Sequence, residues 1–173
     1  MDAEKLLKHM AWANQEIFTK IAQLPDEALD AYAVNPEWTA REIIRHIASS
    51  ATWYGYRLLD HSILSEDEMS AWKKKLDDAE VPPVKMGNMK IVLERAALAD
   101  AELLTAAQVP DQLVPQSMPW EKVKRFRSTI ISQAIHHATE HRAQLISALE
   151  AKGFTSINLD HYDLWAYSST INE

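Results

Sequence analysis

The chain has 173 residues, of which 47% are hydrophobic and 25% are charged, a composition that is ordinary for one globular domain. Its net charge of −7 and its lack of a basic run argue against nucleic acid or an anionic membrane as the main partner. There is no cysteine, so disulfides and thiolate metal sites are excluded, and a metal ion would need His, Asp, Glu or water as ligands.

The general pattern of the sequence favours an all-α protein, because there are only three glycines and little of the alternation that strands show. The N-terminus has no signal-peptide pattern, and no stretch is apolar enough to span a bilayer. We therefore expect a soluble cytoplasmic protein with a single domain over residues 1–173.

The first predicted helix covers residues 2–23. Its apolar stripe has helical spacing and consists of Leu7, Met10, Ile17, Ile21 and Leu24. Asn14 falls on the same stripe, so it is either a core amide with satisfied hydrogen bonds or a pocket residue.

The second predicted helix begins at a capping box formed by Thr39 and Glu42, and it continues to about residue 60. His46 lies beside its apolar stripe, and residues 48–51, which follow it, are all small. Small side chains at these positions can leave open space next to the imidazole. Taken alone, His46 would fit a core or boundary histidine.

The segment between helices two and three contains a second capping box, Ser65 with Glu68, which predicts a short extra helix through Leu76. Helix three is predicted over residues 88–107.

Helix four is the last long helix of the prediction. Residues 123–127 form a short extended piece before it, and Ser128 is its candidate N-cap. Gly153, just after it, suits the left-handed position that ends many helices. Four long amphipathic segments in series predict an up-and-down or crossover four-helix bundle.

Helix four carries His137 and His141, which lie on the same face because they are four residues apart. The face is otherwise apolar, and a buried polar ring without a partner costs roughly 1–3 kcal/mol. A metal ion would satisfy both imidazoles. If helices two and four are neighbours, His46 can join the pair, and three imidazoles leave coordination positions open, as in catalytic sites.

Two other histidines compete for this role. His136 points about 100° away from His137 on the helix, which favours a surface or interface position. His161 is the alternative third ligand if His46 faces elsewhere.

Four short motifs carry a family resemblance. They are Trp12-Ala13-Asn14 in helix one, I-I-R-H-I-A in helix two, H-A-T-E-H-R-A-Q in helix four and D-L-W-A-Y near the end. In this order they resemble the DinB-like (damage-inducible) family of bacterial helical bundles, which includes metal-dependent thiol transferases. The third motif departs from the family pattern H-x-x-H-H-R-G-Q, since Glu140 stands where histidine is common and Ala143 where glycine is common. Neither change removes a ligand.

The resemblance implies an up-down-down-up four-helix bundle that holds one divalent ion, Zn, Ni, Fe or Mn, through His46, His137 and His141. It also implies a homodimer and a metal-dependent enzyme of the thiol-transferase or hydrolase type. Such an enzyme would act on a small molecule, with a low-molecular-weight thiol such as bacillithiol or mycothiol as cofactor.

In the enzyme hypothesis, five further residues are candidates for the pocket or for supporting the ligands: Asn14, Trp53, Arg142, Asp160 and Tyr167. Trp53 could instead be a core residue, Arg142 a salt-bridge partner and Asp160 a helix cap. Two other hypotheses remain open. One is a non-catalytic, metal-stabilised, stress-associated binding module, and the other is a helical domain with structural histidines and no metal.

Overall fold

The computed structural model describes residues 3–61, 63–79, 83–114 and 123–173. Its α-helices are α1 Ala3–Ile21, α2 Ala40–Arg57, α3 Glu66–Ala79, α4 Met89–Ala107, α5 Arg127–Ala151 and α6 Leu164–Thr170. Two short strands, β1 Leu113–Val114 and β2 Arg125–Phe126, pair antiparallel, with Leu113 opposite Phe126. The all-α prediction is confirmed. In the described ranges, none of the helices combines the length and apolar character that a bilayer span requires.

Two clusters of buried side chains show how the four long helices are oriented. The first cluster joins the C-terminal halves of α1 and α5 to the N-terminal halves of α2 and α4. The second cluster joins the opposite halves of the same helices. Helices α1 and α5 therefore run in one direction, and α2 and α4 run in the other. This is the up-down-down-up arrangement, in which α1 and α2 each contact both α4 and α5.

The crossover helix α3 follows from this arrangement. Because α2 and α4 run parallel, the chain between them must return along the length of the bundle, and α3 lies in that connection. The predicted capping box begins it: the Ser65 amide donates to Glu68 Oε2 at 2.8 Å, and the Glu68 amide donates to Ser65 Oγ at 3.3 Å. Helix α3 packs on α2, and Leu76 is its buried residue.

The predicted helix boundaries lie within about three residues of the observed ones, although α2 ends three residues earlier and α3 three residues later than predicted. Thr39 caps α2 by accepting the Glu42 amide at 3.4 Å, and Gly153 follows α5 with a φ of +86°. The prediction that Ser128 caps α5 is wrong, since Phe126 holds that position. The carboxylate of Asp111 instead accepts both the amide and the hydroxyl of Ser128 at 2.9 Å. The pairing of β1 with β2 brings this carboxylate to the positive end of the helix.

Arg127 fastens the start of α5 to the ends of α2 and α4. The guanidinium is buried and donates to the backbone carbonyls of Leu58, at 2.6 Å, and of Ala106. These carbonyls belong to the last turns of two helices, where backbone acceptors lack intrahelical donors. No local pattern in the sequence predicted this role for Arg127.

Candidate metal centre

Three imidazoles converge where α2 and α5 pack against each other. The Nε2 atom of His137 lies 2.8 Å from Nε2 of His46 and 3.1 Å from Nε2 of His141. All three side chains are half-buried, and one ligand atom from each lies within 4.8 Å of the others. The antiparallel packing of α2 and α5 brings His46 level with the middle of α5, although 91 residues separate it from His137.

The donor set fits a divalent metal ion. Metal–nitrogen bonds of roughly 2.0–2.1 Å at angles near 90–110° place neighbouring ligand nitrogens about 2.8–3.4 Å apart. The two short nitrogen–nitrogen distances lie within that range. Burial, together with the charges of His141 and His46, lowers the pKa of His137 to about 4. His137 is therefore neutral at pH 7, which is the form that binds metal.

Gln144 orients one of these imidazoles. Its side-chain oxygen lies 2.8 Å from Nδ1 of His141, and it also accepts the indole N–H of Trp38 at 2.9 Å. Because this oxygen can only accept, it favours the His141 tautomer that carries the proton on Nδ1 and a lone pair on Nε2. The indole ring lies edge-on to His46 and His141, with ring centroids 5.3 and 5.6 Å away.

Neither Gln144 nor Trp38 was predicted from the sequence as part of the site. Gln144 lies within the helix-four motif, so its spacing from His141 was a signal for it. Trp38 precedes the helix-two cap and had no comparable signal.

A cavity of about 310 Å³ opens beside the histidines. It is lined by Arg45, His46, Ser49, Ser50, Trp53, Tyr54, Arg57 and His137. The small residues after His46 therefore do leave open space, as their sequence suggested. The hydroxyls of Ser49 and Ser50 both donate to the His46 carbonyl, at 3.2 and 2.5 Å.

A family model described as the DinB family matches residues 1–170 of the chain. The chain belongs to the DinB family. No curated protein and no solved structure matched it in the other two comparisons. This DinB-family chain thus carries a histidine cluster that is compatible with metal binding.

Asn14 and Arg142 of this DinB-family protein lie inside the bundle and are not among the residues that line the cavity. The amide of Asn14 donates to Asp100 Oδ2 at 3.3 Å, and its oxygen accepts from Arg142 at 2.9 Å. Each of these three side chains is at most 4% exposed. Asn14 is therefore a core amide with satisfied hydrogen bonds, one of the two alternatives for it.

Burial disfavours both charges in this network. It raises the pKa of Asp100 to about 6, although the Asn14 hydrogen bond and the Arg142 charge oppose that change. It lowers the pKa of Arg142 to about 10, against the attraction of Asp100. Asp100 lies between the buried Ala96 and Leu103 of α4, and nothing in the sequence marked it as a functional candidate.

The remaining candidate residues lie in different parts of the structure. Trp53 lines the cavity. Tyr167 is buried against α1, where its ring lies 5.5 Å from that of Trp12. Asp160 and His161 are exposed in the 3-10 turn Leu159–Tyr162, and His136 is exposed on α5. His46 therefore joins the pair on α5, and the alternative ligand His161 does not.

Proposed function

We propose that this DinB-family protein is a metal-dependent enzyme of the thiol-transferase or hydrolase type. The observation that carries the proposal is the convergence of His46, His137 and His141 beside an open cavity. Three protein ligands leave positions for water or substrate, whereas structural zinc sites are usually closed by four. The predicted divalent ion is Zn, Ni, Fe or Mn, all of which accept imidazole ligands.

A bound divalent ion would supply Lewis acidity and would lower the pKa of a water or thiol bound to it. Arg45 and Arg57 line the cavity in front of the histidines and favour an anionic substrate or a thiolate there. Trp53 and Tyr54 provide aromatic walls that restrict water. Because the chain has no cysteine, a thiol nucleophile would come from a low-molecular-weight cofactor.

The metal site is tested by elemental analysis of the purified protein and of His46→Ala, with His161→Ala as control. We expect close to one divalent ion per chain in the wild type and in the control, and loss of the ion in His46→Ala. His161 is exposed and outside the cluster, so its removal leaves the three ligands intact. A wild-type protein that stays metal-free after reconstitution would rule out the site.

The reaction class is tested by incubating metal-loaded protein with a low-molecular-weight thiol and a panel of electrophiles. A parallel panel of esters and amides without thiol tests hydrolysis. Turnover that requires both the ion and the thiol would support the transferase, and turnover of the second panel would support the hydrolase. Stoichiometric metal without turnover in either panel would contradict the enzyme proposal.

A second candidate function, a non-catalytic module stabilised by its metal, is favoured by one observation. The three histidines link α2 to α5, so an ion would cross-link two of the four long helices. Elemental analysis tests the metal site for both candidates. The non-catalytic module predicts bound metal without turnover in either panel. The homodimer expected from the family resemblance stays a prediction under both.

A further inference from the structure

A second, larger cavity lies between the crossover helix α3 and helices α2 and α4. Its volume is about 550 Å³, within the range of roughly 300–1,000 Å³ that small-molecule sites occupy. Among the described residues, Arg45 is the one side chain that lines both this cavity and the cavity beside the histidines. The two spaces are therefore adjacent but have different walls.

The apolar part of this cavity's lining consists of small and aliphatic side chains. Ala48 and Thr52 of α2, Val92 and Ala99 of α4 and Ala71 of α3 contribute to it. Small side chains on three helices leave room that larger ones would fill.

Two large aliphatic side chains of α4, Ile91 and Leu98, also line the cavity and are 52% and 60% exposed. They are seven residues apart and so lie on one face of the helix. An apolar ligand in the cavity would remove both side chains from water, and burial of this apolar surface would favour its binding.

Polar bridges hold α3 and α4 together around this space. Lys75 of α3 pairs with Glu102 of α4 at 2.5 Å, and Arg95 of α4 donates to the Asp78 carbonyl of α3 at 3.3 Å. All four residues line the cavity. These bridges cross the gap between α3 and α4, whereas a partner helix would need a groove open along its length.

The charge of the lining selects the class of ligand. Four cationic side chains, Arg45, Lys74, Lys75 and Arg95, face two acidic ones, Asp78 and Glu102, which leaves a surplus of two positive charges. The chain as a whole carries −7, so this positive surplus is local. An anionic head group would be favoured at the cationic residues and a cationic one disfavoured.

We propose that the cavity between α2, α3 and α4 is a second ligand site, distinct from the metal centre, that binds a medium-length acyl carboxylate. Its aliphatic chain lies along Ile91 and Leu98, and its carboxylate lies near Lys74 and Arg95. The site does not depend on the proposed function, because none of its ligand contacts is a histidine of the cluster.

Calorimetric titration of the full chain with octanoate, hexanoate and octylammonium tests the charge and length dependence. We expect saturable binding of one octanoate per chain. Hexanoate has two methylenes fewer and should bind about 15-fold more weakly, because each buried methylene contributes about fourfold in affinity. Octylammonium should bind more weakly than octanoate. Equal binding of the two octyl ions, or no saturable octanoate binding, would overturn the proposal.

Two variants locate the site. Ala71→Phe fills the cavity from an exposed position on α3 and should abolish octanoate binding, while Ala101→Phe, exposed on α4 outside the lining, should leave it unchanged. The double variant Lys74→Glu/Arg95→Glu should weaken binding about tenfold, from the loss of two partly screened attractions. Lys20→Glu/Lys90→Glu makes the same change in net charge on exposed residues outside the lining and is its control.

Equal octanoate affinity in Ala71→Phe and the wild type would overturn the assignment of this ligand site. A loss of self-association in Ala71→Phe would also overturn it, because it would identify the face as an interface between chains. His46→Ala should keep its octanoate affinity. Failure of this proposal is therefore distinguishable from failure of the metal site.

Discussion

At the scale of single residues, two groups of polar side chains lie at the same height along the helix bundle. Asn14, Asp100 and Arg142 form a buried network between the two apolar core clusters. The histidine cluster lies at that level, between α2 and α5. Arg142 directly follows His141, so successive residues of α5 contribute to the buried network and to the histidine cluster. The helical turn of about 100° per residue makes this division possible.

Gln144 is expected to set metal affinity by orienting His141. Gln144→Leu removes the acceptor of the Nδ1 proton and should lower metal affinity by roughly 10–100-fold, as loss of such supporting hydrogen bonds typically does. Gln144→Glu retains an acceptor and should keep most of the affinity. Competition titration with a chromophoric chelator measures the change, with Gln108→Leu, on an exposed residue at the end of α4, as control. Equal affinity in Gln144→Leu and the wild type would contradict the orienting role.

Asp100 is expected to make stability depend on pH. Its carboxyl group has a pKa of about 6 in the folded protein against 3.8 as its ordinary value, so the folded state binds this proton more tightly. Its contribution to the free energy of unfolding is therefore greatest below pH 4 and falls by about 3 kcal/mol in all as the pH rises through about 6.

The comparison of wild type with Asp100→Asn isolates this contribution, because every other titratable group is the same in both proteins. Urea unfolding at several pH values between about 4 and 7 should show the wild type losing stability relative to the variant as the pH rises. A difference independent of pH would show that the buried carboxyl group does not titrate in this range.

At the scale of elements, the helices are placed by signals of different kinds. An N-cap threonine begins α2, a capping box begins α3, and a glycine follows the end of α5. The start of α5 instead depends on Asp111, which comes from before the hairpin. Sequence spacing could not reveal this cap, because the strand pairing of β1 with β2 is what brings Asp111 and Ser128 together.

Gly153 is expected to be costly to replace because of its backbone conformation. Its φ of +86° lies in the region that a Cβ atom disfavours, so Gly153→Ala should lower the free energy of unfolding by about 1 kcal/mol. Gly87→Ala is the matched control, since its added Cβ meets no heavy atom within 4 Å and its φ is not positive. Equal denaturant midpoints for the two variants would contradict the expected cost of a Cβ atom at the positive φ of Gly153.

At the scale of the whole molecule, the topology decides which helices can share a site. In the up-down-down-up bundle α2 is a neighbour of α5, so histidines from the two helices can meet. The same topology makes α2 and α4 parallel, and the crossover helix α3 that this requires encloses the second cavity. Both cavities are thus consequences of one arrangement of helices.

Metal binding is expected to stabilise the whole fold, because the ion would join α2 to α5. At a free metal concentration 100 times the dissociation constant, the stabilisation is about 2.7 kcal/mol, which corresponds to a rise in melting temperature of roughly 5–10 °C for a protein of this size. Thermal unfolding with and without a chelator measures it. His161→Ala should retain the shift and His46→Ala should lose it. An identical melting temperature with and without the ion would exclude a cross-linking role.

The sequence by itself determined the helical class, the main helix boundaries and the pair on α5, because periodicity, capping and four-residue spacing are local properties. It also marked His46, through its motif and the small residues after it. Only the tertiary structure decided that His46 and not His161 joins the pair, and that Asn14 faces Asp100 and Arg142. The reason is physical: contacts between residues 14 and 142, or 46 and 137, depend on how whole helices pack, which no local pattern of residues specifies.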